Sequence, residues 1–212
     1  VGTTSQIASG QPRSIKLEQS MRSIERPNPS WDYDGKRILG HVGHTVILWD
    51  ATTGKVLQKL TGHEEKISSV RFSPDGVHAF SSSWVQPGGI MYKSKDTRTL
   101  FWNLVTGERK GEFQNQVAGE FSPDGKRILT FGARPDKLGW FDAAVWDVAT
   151  GRELVKARLD DASCPRETNG LGDALHFSPD GANFAYIKNG AYLLTNPSEG
   201  VLYDATDGRE IG

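Results

Sequence analysis

Three side-chain types that together can catalyse acyl transfer occur close together in this chain. His63, Ser82 or Ser83, and Asp96 provide a base, a nucleophile and an acid that could orient the base. A hydrolase of this type also needs an oxyanion hole and a nucleophile on an exposed sharp turn. The sequence signals neither feature, which argues against catalysis by these residues.

Residues that could bind a metal ion are present, but their spacing is unfavourable. His41 and His44 have an H-x-x-H spacing, yet a Val42-Gly43 turn separates them and no third ligand is suitably spaced. Cys164 is the only cysteine, so it can form no internal disulfide, and it has no catalytic context. Four aspartates recur in turn sequences without the ligand-dense pattern of a calcium loop, namely Asp34, Asp75, Asp124 and Asp180. We therefore predict no metal, no cofactor and no catalytic residue.

Length and charge limit the class of protein. The chain has 212 residues and a formal net charge of −1, which permits a sizeable core and does not favour nucleic-acid binding. No segment approaches the roughly 18 consecutive apolar residues of a membrane helix. The first residues lack the basic and apolar regions of a signal peptide. We expect a soluble protein without membrane insertion, with the cytoplasm as the default location.

Two turn signals recur in fixed order and divide the chain into four units. The first is Phe-Ser-Pro-Asp-Gly, which occurs at 72–76, 121–125 and 177–181 and in degenerate form at 31–35. The second is an aromatic residue, Asp or Asn, and a later Gly, which occurs at Trp49-Asp50, Trp102-Asn103, Trp146-Asp147 and Tyr203-Asp204. Proline, aspartate and glycine at these positions favour chain reversals between antiparallel strands. The units span about residues 31–61, 62–114, 115–160 and 173–212.

Short runs rich in Val, Ile, Leu and Phe lie between these turns. The clearest predicted strands are 36–39, 45–49, 67–72, 100–102, 126–131, 143–146 and 184–187. No stretch has apolar residues at helical spacing with caps at both ends, so the predicted class is all-β. Residues 1–30 are polar and contain three prolines, which is typical of an arm. Alternatively, Ser14 to Leu17 form the last strand of a preceding or closing unit.

The four units resemble WD repeats, the four-stranded antiparallel blades of a β-propeller. The resemblance rests on Gly62-His63, the Phe-Ser-Pro-Asp-Gly turns and the Trp-Asp pairs, in that order, over about residues 31–212. It implies a β-propeller with about four WD-type blades in this chain. Two arrangements remain open: a small ring closed by residues 14–17, or part of a larger propeller. We favour the second, in which open blade edges could self-associate.

The resemblance gives the possible catalytic set a structural role. In WD-type blades, the Gly-His histidine, a hydroxyl on the second strand, an Asp six residues before the Trp, and that Trp form a buried hydrogen-bond network. The matching residues here are His63, Ser82 or Ser83, Asp96 and Trp102. The other units have Gly43, Trp140 and Pro197 at the position of Asp96. Only the second unit is therefore expected to hold the full network.

Differences in length between the units indicate a binding face. Extra residues enter at 84–95 and 133–141, between the second and third strands of units two and three, and at 160–172, between units three and four. In a WD-type blade these connections open on one face of the disc, and inserted loops often carry binding. The inserts combine aromatic and charged side chains, as recognition surfaces do: Trp84, Met91, Tyr92, Lys93, Arg134, Trp140 and Phe141. The alternative for any one aromatic residue is that it covers the end of its own blade.

These observations predict a non-catalytic scaffold that binds a protein or peptide partner through the face with the inserted loops. One alternative is a propeller enzyme, a hydrolase or lyase, with its site near the axis. Against it, no unit repeats a histidine or a pair of carboxylates where the strands begin. A further alternative is a spacer segment within a larger multidomain protein.

Overall fold

A computed structural model describes residues 29–83, 97–134, 141–159, 175–188 and 199–211. All the regular elements in these ranges are β-strands, which confirms the predicted all-β class. The first eight strands are β1 Ser30–Trp31, β2 Arg37–Val42, β3 Thr45–Asp50, β4 Val56–Thr61, β5 Ile67–Phe72, β6 His78–Ser83, β7 Arg98–Asn103 and β8 Arg109–Gln114. The others are β9 Val117–Phe121, β10 Arg127–Ala133, β11 Phe141–Asp147, β12 Glu153–Leu159, β13 Leu175–Phe177, β14 Asn183–Lys188 and β15 Glu199–Asp204.

These strands form four antiparallel sheets, numbered here as blades 1 to 4. The sheet orders are β1-β2-β3-β4, β5-β6-β7-β8, β9-β10-β11-β12 and β13-β14-β15, so each blade pairs strands in the order of the chain. In blade 4, Tyr203 also pairs with Glu210. In blade 2 the corresponding Trp102 pairs with Arg109, the first residue of the fourth strand. The paired residue thus follows the aromatic residue at the same distance along the chain in both blades. The blades are consistent with WD-type repeats of a partial propeller.

Local turn chemistry produces the reversals between strands. In the first turn of blade 3, the Ser122 hydroxyl donates to Asp124 Oδ1 at 2.6 Å, and the Lys126 amide donates to the same oxygen at 3.0 Å. The hydrogen bond from Ser122 holds the pKa of the Asp124 carboxyl below its ordinary value. Gly125 follows with φ of +71°, a conformation that glycine adopts without strain. These contacts show that the repeated aspartate stabilises a turn.

Both faces of the central strands are buried, and successive blades share apolar clusters. Strand β3 is buried at four consecutive residues, whereas the outer strand β12 alternates between exposed and buried positions. One apolar cluster joins blades 1 and 2, a second joins blades 2 and 3, and a third joins blades 3 and 4. Trp102, Trp146 and Tyr203 each pack against the preceding blade within these clusters. Within the described ranges, no element has the helical form, length and hydropathy of a membrane span.

Candidate functional site

One end of the blades, called the loop face here, carries the connections that interrupt the repeat. Residues 84–96 connect β6 to β7, 135–140 connect β10 to β11, 160–174 connect β12 to β13, and 189–198 connect β14 to β15. The opposite end, the turn face, carries the short turns between β1 and β2 and between β3 and β4, with their counterparts in the other blades. The irregular connections therefore all begin and end at the loop face.

Most of the predicted partner-binding residues lie outside the described ranges, namely Trp84, Met91, Tyr92, Lys93 and Trp140. Phe141 is described, and its position differs from the prediction. It begins β11 and is only 5% exposed, with its ring centroid 6.2 Å from that of Phe131. Alternation along β11 directs Phe141 and Ala143 into the cluster between blades 3 and 4. Phe141 is a core residue in this structure and is not accessible to a partner.

Arg134, the other described member of that set, faces an internal acid. Its Nε lies 3.9 Å from Oδ1 of the buried Asp142, and Lys156 Nζ lies 3.5 Å from Oδ2 of the same carboxylate. The Arg134 side chain is nearly buried, whereas that of Lys156 is half-exposed. Arg134 is therefore directed towards the buried carboxylate, and Lys156 is the cation of this cluster that is open to solvent.

A second charged cluster lies where β7 begins at the loop face. Arg98 Nη1 is 3.3 Å from Glu64 Oε1 and 3.6 Å from Glu112 Oε1. The Arg98 side chain is mostly buried, while Glu64 is largely exposed. Sequence reasoning missed this cluster because its three members come from three strands or connections with no shared motif. The described part of the loop face thus has a polar rim containing both signs of charge.

The buried network predicted for blade 2 is present in part. Trp102 Nε1 donates to Ser81 Oγ at 2.8 Å, and Ser81 Oγ lies 2.7 Å from His63 Nε2. The Ser81 hydroxyl therefore joins the indole and the imidazole in one buried hydrogen-bonded chain.

The hydroxyl in this network belongs to Ser81, not to Ser82 or Ser83 as predicted. Strand pairing explains the difference, because Ala79 lies opposite Trp102 and Ser81 is the next residue on the same face. Ser82 points to the other face, where its Oγ lies 2.7 Å from Thr99 Oγ1. Ser83 Oγ bonds the Arg98 carbonyl at 3.4 Å. The register selects one serine from three consecutive candidates.

The environment of His63 favours its neutral form. Burial, followed by the nearby positive charge of Arg98, lowers the pKa of His63 from about 6.5 to about 4. Its Nδ1 is buried without a hydrogen-bond partner among the described residues. Asp96, the remaining predicted member of this network, lies outside the described ranges. The role of Asp96 stays a prediction.

Blade 3 contains an equivalent network that the sequence did not indicate. Trp146 Nε1 donates to Thr130 Oγ1 at 2.8 Å, and Thr130 Oγ1 donates to Gln116 Oε1 at 2.9 Å. Thr130 corresponds to Ser81, because Ile128 pairs with Trp146 as Ala79 pairs with Trp102. Gln116 thus takes the place of the histidine with a side chain that does not titrate.

His63→Gln should remove the pH dependence of the blade 2 network, because an amide that does not titrate replaces the imidazole. Below pH 6.5 the unfolded wild type binds a proton at His63 that the folded chain accepts only near pH 4. The stability contributed by neutral His63 is complete above pH 6.5 and is lost as the pH falls towards 4. Between neutral pH and pH 4, where folded His63 titrates, the wild type should lose about 3 kcal/mol of unfolding free energy relative to His63→Gln.

Urea unfolding of both proteins across this pH range measures the difference. Contributions from the aspartates and from the other histidines are common to the two proteins and cancel. A difference in unfolding free energy that stays constant with pH would show that His63 is not held neutral by the fold.

An acid and a histidine do meet where the first strands of blades 3 and 4 approach each other. Glu120 Oε2 lies 3.2 Å from His176 Nδ1, and the other Glu120 oxygen accepts from the Phe177 amide. Glu120 and His176 each stand immediately before a Phe-Ser-Pro-Asp-Gly turn. Sequence reasoning overlooked this shared position. In blade 1 the equivalent Ser30 accepts from the Phe72 amide at 3.2 Å. Glu120 and Ser30 therefore act as links between blades, and no group of three possible metal ligands occurs among the described residues.

Comparison with known proteins gives a consistent result. The family model described as WD domain, G-beta repeat, matches residues 54–84. Nuclear distribution protein nudF of Aspergillus niger is 26% identical over 157 residues, covering 66% of this chain and 30% of the relative. Notchless protein homolog of Arabidopsis thaliana is 29% identical over 102 residues, covering 47% and 19%. The U5 small nuclear ribonucleoprotein 40 kDa protein of Pongo abelii is 40% identical over 55 residues, covering 26% and 15%. The chain thus spans at most 30% of the length of these relatives.

Proposed function

We propose that this chain, whose residues 54–84 match the WD-repeat family model, is a non-catalytic scaffold that binds a protein or peptide partner through its loop face. WD-repeat relatives typically serve as protein-interaction scaffolds. The name of the relative from Pongo abelii refers to a ribonucleoprotein, which is an assembly of several components. That relationship favours assembly with a protein partner over catalysis.

The choice of the loop face as the binding surface rests on a single observation. Every connection that interrupts the repeat between described strands begins and ends at the loop face. The turns at the other end repeat the same short sequences and use their polar side chains internally, as Asp124 does with Ser122. A regular framework with variable connections at one end is the usual arrangement of a binding surface built on loops.

The described base of the loop face supports this proposal through its charge. Exposed Glu64 and half-exposed Lys156 provide opposite charges at the edge, while Arg98 and Arg134 are held inward by their own acids. Interfaces commonly combine aromatic anchors with a charged rim that contributes mainly to orientation and association rate. Trp84 and Trp140 are the proposed anchors.

Combined replacement of Trp84 and Trp140 by alanine should abolish partner capture with little effect on folding. Loss of an aromatic anchor commonly costs at least about 2 kcal/mol, so the two losses together correspond to roughly a thousandfold loss of affinity. Immobilised wild type and variant would be compared by capture from an extract of the source organism, with bound proteins quantified by mass spectrometry.

Val105→Ala provides the matched control, because Val105 is 70% exposed at the turn face. The control should capture the same proteins as the wild type. The thermal unfolding midpoint of all three proteins should be nearly equal. Undiminished capture by the double variant, or equal losses in the double variant and the control, would contradict binding through the loop face.

A further inference from the structure

A hydrogen bond to a backbone amide links the first strands of neighbouring blades at two junctions. Ser30 Oγ accepts from the Phe72 amide at 3.2 Å, across blades 1 and 2. A carboxylate oxygen of Glu120 accepts from the Phe177 amide, across blades 3 and 4. The acceptor is each time the residue before the first turn of its blade, and the donor is the aromatic residue that begins the first turn of the next blade. Each link therefore needs an oxygen at one defined position.

The junction of blades 2 and 3 has the donor of this link but a different residue in the acceptor position. The Ser122 amide donates to the Arg127 carbonyl at 2.9 Å within blade 3, so the Phe121 amide, one residue earlier, points to the free edge of β9. No oxygen among the described residues accepts from the Phe121 amide. The acceptor position of blade 2 is held by Arg71, an exposed side chain that only donates.

The turns at this junction pack in the same way as those between blades 3 and 4. A Cβ atom placed on Gly125 would lie 3.6 Å from Pro74 Cδ, across blades 2 and 3. One placed on Gly181 would lie 3.5 Å from Pro123 Cδ, across blades 3 and 4. Arg71 therefore corresponds in space, as well as in sequence, to the residue that provides the acceptor between blades 3 and 4.

The donors at this junction suit a carboxylate. A guanidinium has five N–H groups, so Arg71 can bind an oxyanion in addition to its existing interaction. It also matches a planar carboxylate through two parallel hydrogen bonds. Glu120, the acid next to the Phe121 amide in sequence, is engaged by blade 4: one oxygen accepts from the Phe177 amide and the other lies 3.2 Å from His176 Nδ1. The Glu120 contact also shows that a carboxylate fits this position of a junction.

A second link between blades is also different at this junction. Arg37 donates to the Gly76 carbonyl at 2.8 Å across blades 1 and 2, and Arg127 makes the same contact with Gly181 across blades 3 and 4. His78 holds the corresponding position in blade 2, where its ring stacks on an aromatic ring of its own blade. A ligand that bonds blade 2 and blade 3 together would therefore supply a contact that the other two junctions make internally.

We propose that Arg71 and the Phe121 amide bind a carboxylate between blades 2 and 3, in the place that the Glu120 carboxylate occupies between blades 3 and 4. The carboxylate belongs to a small organic acid or to an acidic side chain of a protein. The site lies at the turn-face end of the first strands, so its ligand is separate from the partner bound at the loop face. Because the ligand contacts two blades of the folded chain, it should raise the thermal midpoint.

Amide NMR of the isotope-labelled chain during a titration with propionate tests the site. The Phe121 amide resonance should move downfield and reach saturation, because its N–H gains a charged acceptor. The amides of Phe72 and Phe177 already have internal acceptors and should not move. Propionamide, which has a similar shape without the charge, and sodium chloride at equal ionic strength should leave all three unchanged.

A short peptide with one glutamate between alanines forms the second arm of this titration. Tighter binding of the peptide than of propionate indicates that the carboxylate comes from a protein. Equal binding indicates a small organic acid. Either result supports the site, because both require movement of the Phe121 resonance.

Two substitutions of Arg71 test its role. Arg71→Ala should weaken propionate binding at least about tenfold, through loss of a charge-assisted hydrogen bond. Arg209→Ala is the matched control, because it removes an arginine whose side chain is 75% exposed in blade 4, and it should bind as the wild type does. Arg71→Glu gives blade 2 the acceptor that blade 3 has at Glu120. Its Phe121 amide should lie downfield without ligand, its thermal midpoint should rise, and propionate should no longer bind.

The proposal is overturned if propionate produces no saturable movement of the Phe121 resonance. It is also overturned if propionamide or sodium chloride produces the same movement, or if Arg71→Ala binds propionate as tightly as Arg209→Ala. An Arg71→Glu variant that keeps the wild-type Phe121 resonance and still binds propionate would show that Arg71 does not face this amide.

Discussion

Replacing Trp102 with alanine is expected to lower the free energy of unfolding by about 3–5 kcal/mol. The indole is buried in the cluster between blades 1 and 2, so its removal leaves a cavity in the contact that joins them. The substitution also removes the hydrogen bond from Nε1 to Ser81. Urea unfolding at neutral pH, followed by circular dichroism, measures the effect.

Two other variants separate the contributions to this loss. Trp102→Phe keeps most of the apolar volume but removes the indole N–H, and it should cost less than the alanine substitution. Val105→Ala, three residues away at an exposed position, should change stability by no more than about 0.5 kcal/mol. A loss below about 1 kcal/mol for Trp102→Ala would contradict the packing of blade 2 against blade 1.

Phe141→Ala should be comparably destabilising, by about 3–5 kcal/mol, and should not act through partner binding. Phe141 is buried between blades 3 and 4 and contacts the Phe131 ring. Its loss should lower the thermal midpoint while any remaining folded protein binds with unchanged affinity. Differential scanning fluorimetry and a binding assay on the folded fraction measure the two quantities separately.

Glu64→Ala is the control for Phe141, because Glu64 lies at the same end of the blades but is largely exposed. The control should retain the stability of the wild type within about 1 kcal/mol. A Phe141→Ala variant with an unchanged thermal midpoint and weakened binding would contradict the core role of Phe141. It would show that Phe141 belongs to the recognition surface, as the sequence predicted.

The position of Phe141 illustrates why an insertion is hard to delimit from sequence. The repeat shows that extra residues enter between β10 and β11, but strand pairing decides how many of them extend the strands. In the structure β10 continues to Ala133 and β11 begins at Phe141, where Phe141 pairs with Ala133. The last predicted residue of the insert therefore belongs to the blade.

The turns were predictable because their causes are local. Ser122, Asp124 and Gly125 lie within four residues, and their side chains and backbone complete the reversal among themselves. Four such signals in order were sufficient to predict an all-β repeat. The identity of the network hydroxyl was not predictable in the same way, because only the register between β6 and β7 distinguishes Ser81 from Ser82.

Contacts between blades were the least predictable feature. Arg37 and Gly76 are far apart in sequence, and nothing near either residue indicates that they meet. In blade 3, Gln116 occupies the place in the network that His63 has in blade 2. Gln116 lies one residue before its strand, whereas His63 lies four residues before its own, so an alignment of motifs could not identify it. Such pairings depend on how complete blades pack, which a single sequence does not specify.

Binding through the loop face is tested most directly by hydrogen–deuterium exchange of the chain, alone and with a captured partner present. We expect slower exchange in peptides that contain residues 84–96 and 135–140. Exchange should be unchanged in the turn-face peptides that contain residues 73–77, 122–126 and 178–182. Slower exchange at those turns, with none at 84–96 or 135–140, would contradict the proposed binding face.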